Sequence, residues 1–318
     1  MEAEIGSLRA TVVQPSKETA PPLFLIPGVG FTRAVYAPLQ AALAKDGIPS
    51  LAVDLPGTGD PHAAPSFDRV ADALTRAVEA VPSCGVLAHS LSGPFGQLVA
   101  QRANLHALVL VNSFPSDGVS LVPTRGALGF ARRHGLALLR GHAIRPSYDE
   151  MLAFGLDRAP EAARRAAFDA MVPMPGRLVQ QILRRPLRPD SGAVRCHTLV
   201  CTARQDTLVH WQVGRRIGEW FNAIIWRYDD LGHLPFFQDE AARLYRNIGE
   251  FVLKPHSRKV TEAEAWAPGE GRGLEAREVD RGDVGGARSA YGQRLGRQGA
   301  SNTDQWDQNL ARLAEKSG

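Results

Sequence analysis

The chain has 318 residues, of which 44% are hydrophobic and 22% charged, and 37 basic against 33 acidic residues leave a net charge of +4. Those values exclude a fibrous chain and one disordered throughout, and no apolar run approaches the roughly 18 residues that cross a bilayer. At about 150 residues per domain, length alone suggests two domains.

The chain starts Met1-Glu2-Ala3-Glu4, acidic where a secretory leader is basic, and no apolar stretch follows. A cytoplasmic location is therefore expected. Residues 9–13 read as an antiparallel strand. Short runs at 23–26, 50–53, 85–88, 107–111, 198–201 and 224–228 are mostly apolar throughout, as parallel strands covered on both faces should be. Between them lie helical patterns at 34–45, 67–81, 91–102, 212–221 and 236–253. Strand–helix alternation with short connections predicts an α/β sheet with right-handed crossovers.

One interval breaks this rhythm. Between 111 and 198 there are helical patterns at 124–140, 148–156, 161–171 and 176–184 and no clear strand. A structureless loop of that length is improbable, so the interval reads as an inserted helical layer. Composition changes again near Lys254. Residues 255–318 contain only seven Leu, Ile, Val or Phe and ten Gly, too few large apolar side chains to offset the entropy of ordering. The expected organisation is a core at 1–115 and 191–254, a helical cap at 116–190, and a disordered tail at 255–318 with a short helix near 309–316.

The segment Gly85-Val86-Leu87-Ala88-His89-Ser90-Leu91-Ser92-Gly93 carries the strongest chemical signal. An apolar strand runs into a small-x-Ser-x-small turn and a helix follows, which holds the serine in a strained conformation and needs small neighbours on either side. Ala88 and Ser92 supply them, Gly93 lets the helix approach the sheet, and Pro94 sits where a missing N–H costs little. A serine nucleophile needs a base and an orienting acid. The strand at 198–201 leads to Asp206, and the last strand leads to Asp229-Asp230-Leu231-Gly232-His233-Leu234-Pro235. Loops after parallel strands share one sheet edge, so Ser90, Asp206 and His233 can converge there. Asp229 and Asp230 are alternatives for the acid, with Asp206 better placed at a strand end.

On these residues the chain, over about 8–254, resembles the serine-nucleophile α/β-hydrolases with a helical cap. The resemblance implies an α/β-hydrolase fold and acyl transfer to water, with Ser90 as nucleophile, His233 as base and Asp206 as acid. It also implies an oxyanion hole from the N–H groups of Val29, in Pro27-Gly28-Val29-Gly30-Phe31, and of Leu91. The substrate expected is a small, largely apolar ester or thioester, with no cofactor and no metal. The same three side chains also serve C–C bond hydrolysis, lyase or perhydrolase chemistry, and a non-catalytic binding protein is a further alternative.

Within the cap, Met151, Met171, Met174, Phe130 and Phe154, together with Phe31, are candidates to line an apolar substrate site. Residues 116–190 hold twelve arginines against seven acidic residues, which fits either an anionic substrate or a solvated helix face. No basic run is interleaved with aromatics, so no nucleic-acid partner is expected. His89 is expected to pack structurally, Asp54 to form an Asx-type turn, and Asn112 to lack the acid function its strand-end place suggests. Cys84, Cys196 and Cys201 lack zinc-ligand spacing, and Cys196 and Cys201 read as buried small hydrophobes.

Overall fold

The computed structural model describes residues 1–255 apart from Pro61, Asp157 and Pro186. The expectations for the tail and for a helix at 309–316 lie outside the described residues. The chain forms an eight-stranded sheet from β1 (Glu2–Ile5), β2 (Leu8–Val13), β3 (Leu23–Ile26), β4 (Ser50–Val53), β5 (Gly85–His89), β6 (Ala107–Val111), β7 (His197–Ala203) and β8 (Ile224–Tyr228), in the order β1-β2-β4-β3-β5-β6-β7-β8. β1 and β2 pair antiparallel and β2 joins β4 antiparallel, while all pairs from β4 to β8 are parallel. This is the α/β-hydrolase fold. β3 to β6 are buried at every residue, which explains their continuous apolar sequences. The edge strand β8 is only partly buried and carries Arg227.

Core helices are α1 (Ala37–Lys45), α2 (Phe67–Glu79), α3 (Gly93–Arg102), α8 (Trp211–Phe221) and α9 (Ala241–Leu253). Between β6 and β7 lie α4 (Arg125–Leu139), α5 (Tyr148–Met151) running into a π-helical turn at Leu152–Leu156, α6 (Glu161–Asp169) and α7 (Gly176–Leu183). Local signals account for their starts. Thr124 caps α4 by accepting the Ala127 N–H, and Ser147 and Glu150 form a reciprocal capping box on α5.

Two features differ from expectation. β1 is an additional strand, whose alternating charged residues at the sheet edge form no continuous apolar run. The helix expected over 236–253 is broken: a 3-10 turn spans Pro235–Phe237, Gln238 is extended, and α9 starts at Ala241. Within the helical interval between β6 and β7, Met171 and Met174 form isolated antiparallel bridges to Phe31 and Ile144.

The approach of α3 to the sheet depends on glycine. A Cβ at Gly93 would stand 1.7 Å from Ser113 Oγ and 2.8 Å from Ser113 Cβ, and one at Gly96 would stand 2.6 Å from Ala88 Cβ. Gly93→Ala is expected to cost about 2 kcal/mol by overpacking, read from urea denaturation midpoints. Ser113→Gly in the same chain should recover part of that loss.

Candidate active site

Strand register brings the candidate residues to one edge. His89 pairs with Val111 and Val111 with Cys201, so the residues after β5, β6 and β7 leave the sheet side by side. Ser90 follows β5 directly, with φ +55°, a left-handed conformation that a non-glycine residue holds only under constraint. The Phe114 N–H donates to the Ser90 carbonyl at 2.8 Å and fixes the turn. Ser90 Oγ lies 2.8 Å from His233 Nε2, and His233 Nδ1 lies 2.7 Å from Asp206 Oδ2.

The carboxylate decides the imidazole tautomer. Asp206 Oδ1 accepts the N–H groups of Leu208 and Val209, each at 2.8 Å, leaving Oδ2 for His233. An ionised carboxylate only accepts, so Nδ1 carries the proton and the Nε2 lone pair faces the serine hydroxyl. The Asp206 side chain is fully buried and that of His233 nearly so. Chemically, the arrangement can take a proton from Ser90 Oγ onto Nε2 and hold the resulting imidazolium against a buried carboxylate. The alternative acids are engaged elsewhere: Asp229 pairs with Arg227 at 2.9 Å and Asp230 with Arg243 at 3.0 Å.

The loop carrying Val29 passes over the serine. A Cβ at Gly28 would stand 3.0 Å from His89 Nδ1 and 3.2 Å from Ser90 Cβ, so a side chain there would press His89 and Ser90 back by a few tenths of an ångström. Ser92 Oγ donates to the Pro27 carbonyl at 2.6 Å, so Ser92 is a tether as well as a small neighbour. Among the described residues nothing accepts the Val29 N–H. The Leu91 N–H stands at a helix start, where intrahelical acceptors are lacking.

The alpha/beta hydrolase family model matches residues 23–246. The chain belongs to the alpha/beta hydrolase family. A protein of Variovorax paradoxus named "Putative carbamate hydrolase RutD" is 27% identical over 250 residues, covering 73% of this chain and 91% of that protein. A thermophilic esterase from Thermogutta terrifontis superposes with a TM-score of 0.60 at 17% identity, covering 81% of this chain and 99% of that one. A meta-cleavage product hydrolase from Pseudomonas fluorescens IP01 superposes with a TM-score of 0.58 at 19% identity, covering 79% and 96%. These two structures share the hydrolase fold with the chain.

Sequence reasoning missed what holds the base. Asn112, at the end of β6 with φ +44°, is 3% exposed. Its Nδ2 donates to the carbonyls of Gly232 (3.0 Å) and His233 (3.2 Å), and its Oδ1 accepts the Ala203 N–H at 2.9 Å. One amide thus joins the loop of the base to the strand that leads to the acid. The only local signal was an amide at a strand end. Gln238 adds a second hold, accepting the Gly232 N–H at 3.0 Å.

His89 packs structurally, as expected. Its Nε2 donates to the His233 carbonyl at 2.9 Å, and burial, with His233 nearby, lowers its pKa to about 3. Such a group binds a proton below pH 6.5 only when unfolded, so stability is present above that pH and lost as pH falls toward 3. Going from pH 6.5 to 4.5 should cost about 2 kcal/mol through His89 alone. His89→Gln, which keeps a donor, should flatten that part of the denaturation profile.

Asp54 is structural, but not through its own turn. It accepts the Arg33 N–H at 2.8 Å and pairs with the Arg33 guanidinium and with Arg9 at 3.2 Å. Arg33 also pairs with Glu2, which joins β1 to the start of the α1 segment. Burial pushes the thiols of Cys84, Cys196 and Cys201 up to about 12. Cys196 is half-buried and the other two are buried.

The candidate substrate-site residues fall into two groups. Phe31 bridges Met171, and a Cβ at Gly30 (φ +97°) would meet Met174 Cγ at 2.4 Å, so both methionines pack on the loop of Val29. Phe130 and Phe154 form an edge-to-face pair with centroids 5.9 Å apart, and Met151 is buried. A cavity of about 340 Å³ opens between Leu152, Ala153 and Arg158 of the insertion and Gln205 and Thr207 beside Asp206. None of the six candidate residues lines it.

Proposed function

We propose that the protein is a serine hydrolase that cleaves a small, largely apolar carboxylic ester or thioester through an acyl-enzyme on Ser90. The observation that carries this reading is the relay of two short contacts, 2.8 Å from Ser90 to His233 and 2.7 Å from His233 to Asp206, with the serine held at a positive φ. His233 takes the hydroxyl proton as Ser90 Oγ attacks the carbonyl carbon. The N–H groups of Val29 and Leu91 receive the oxyanion, and removing one such donor typically costs roughly 3–4 kcal/mol. His233 then gives its proton to the leaving alcohol or thiol, and a water, deprotonated by the same imidazole, releases the acid. No cofactor or metal enters these steps. In this reading residues 116–190 form the substrate-selecting cap between the two halves of the core, and the protein works in the cytoplasm on a small acyl substrate.

The likeness to the Variovorax protein favours a second reading, in which the acyl group is a carbamate. Attack and oxyanion stabilisation are unchanged, and what distinguishes the two is the group left on Ser90, a carbamoyl in place of a carboxylic acyl. The test is labelling by a fluorophosphonate probe, with and without Ser90→Ala, followed by rates on p-nitrophenyl esters, acyl-thioesters and a carbamate. Labelling that persists in the Ser90→Ala variant overturns the nucleophile. Turnover of the carbamate alone transfers the assignment to the second reading.

A further inference from the structure

Apart from Met1, every large apolar side chain that is exposed among the described residues lies in the helical insertion: Leu121 (46%), Leu128 (62%), Leu136 (60%), Leu139 (80%) and Leu183 (43%). Three of the five are on α4. Leu128, Leu136 and Leu139 recur at helical spacing, with Arg125 one turn before Leu128 and Arg132 between Leu128 and Leu136, so leucines and arginines share one outward face. The opposite face is anchored: Phe130 packs on Phe154, and His134 Nε2 meets Glu150 Oε1 at 2.7 Å.

The charge along this stretch of the chain has one sign. Residues 118–148 contain Arg125, Arg132, Arg133, Arg140 and Arg145 and not one Asp or Glu. Arg133 pairs with Glu150 and Arg145 lies over the Phe168 ring. The guanidinium groups of Arg125, Arg132 and Arg140 have no hydrogen-bond or ion-pair partner among the described residues. Scattered surface leucines are ordinary, but a cluster ringed by unpartnered guanidinium groups marks an interaction site.

We propose that the outward face of α4 docks on an anionic phospholipid surface. Leu128, Leu136 and Leu139 enter the boundary between headgroups and acyl chains, and Arg125, Arg132 and Arg140 meet lipid phosphates. Charge complementarity selects this occupant: the face supplies cations and apolar side chains together, the composition of helices that lie in a membrane interface. Its form agrees, since a convex helix ridge suits a deformable flat surface, whereas a protein partner would have to present a matching acidic groove. No helix among the described residues is long and apolar enough to cross a membrane, so the contact is peripheral. The inference is independent of the hydrolase reading, and it gives the arginine surplus of the insertion a ligand other than the substrate.

Sedimentation of the full chain with vesicles tests it. Binding is expected to vesicles of phosphatidylcholine mixed with phosphatidylserine, to fall with added salt, and to be weak on phosphatidylcholine alone. The pair L128S/L139S should lower partitioning by about tenfold or more, and Arg125→Ala and Arg132→Ala by about fivefold each. Circular dichroism should stay unchanged in these variants. If L128S/L139S loses its fold, the arginine variants carry the same test. Failure to bind the mixed vesicles, or binding indifferent to both sets of substitutions, overturns the proposal. So does a wild-type dimer that L128S/L139S converts to monomer, which would assign the face to a second copy of the chain.

Discussion

Replacing His233 with alanine is expected to lower kcat on an activated ester by about a millionfold, and adding Ser90→Ala should lower it no further. The two side chains act as one unit: without the imidazole, Ser90 Oγ keeps its proton, and without the hydroxyl, the imidazole has nothing to activate. Asp206→Asn should cost about ten-thousandfold, for a reason visible in its hydrogen bonds. The side-chain oxygen must keep facing the N–H groups of Leu208 and Val209, which turns the new NH₂ toward His233 Nδ1. A donor there forces the imidazole into the other tautomer, with the proton on Nε2, where it cannot accept from serine. Single-turnover release of p-nitrophenol measures all three variants. A loss below tenfold in Asp206→Asn would shift the acid to Asp229 or Asp230.

How much of this was legible in the sequence depends on how local each determinant is. The turn at Ser90 was readable because strand, small neighbours, serine and helix start lie within nine residues, and each has its own steric reason. The sheet was readable for the same reason: strands buried on both faces must be continuously apolar, and β3 to β6 are. The strand-end positions of Asp206 and His233 were readable through chain order. Features whose partners lie far along the chain were not. Asn112 reaches Ala203 and Gly232, across 91 and 120 residues, and no periodicity records such a bond. Asp54 was read through its neighbours as a turn former, whereas its partner is Arg33. β1 is joined to the rest by backbone pairing and by Glu2 with Arg33, neither of which leaves an apolar run. The substrate-site candidates show the limit of side-chain type as a guide. Methionine and phenylalanine fill a core and line a ligand site equally well, and Met174 is pressed against Gly30 in the resting protein.

The second large effect is expected at Asn112, a positioning residue that touches no reacting atom. Three hydrogen bonds and a left-handed backbone conformation meet there, and substitutions can separate them. Asn112→Gly tolerates φ +44° but removes every side-chain bond. Asn112→Asp keeps the backbone preference and the acceptor for the Ala203 N–H, yet replaces the donor to the Gly232 and His233 carbonyls with a negative oxygen. A mainly structural role would make Asn112→Gly the worse of the two, since it loses more bonds. If Asn112 sets the position of the base, Asn112→Asp should be worse in catalysis, because repulsion from two carbonyls pushes the His233 loop away while β7 stays anchored. A displacement near 1 Å is enough to cost about a hundredfold in kcat, with KM nearly unchanged because no substrate contact is lost. Unfolding free energy should fall by about 1–3 kcal/mol in either variant, the usual cost of leaving buried polar groups unsatisfied. Fluorophosphonate labelling of Ser90 should slow in proportion to kcat, since it depends on the same proton transfer. The outcome that would remove Asn112 from the site is a loss of stability in both variants with kcat and labelling intact, for then the amide only ties β6 to its neighbours.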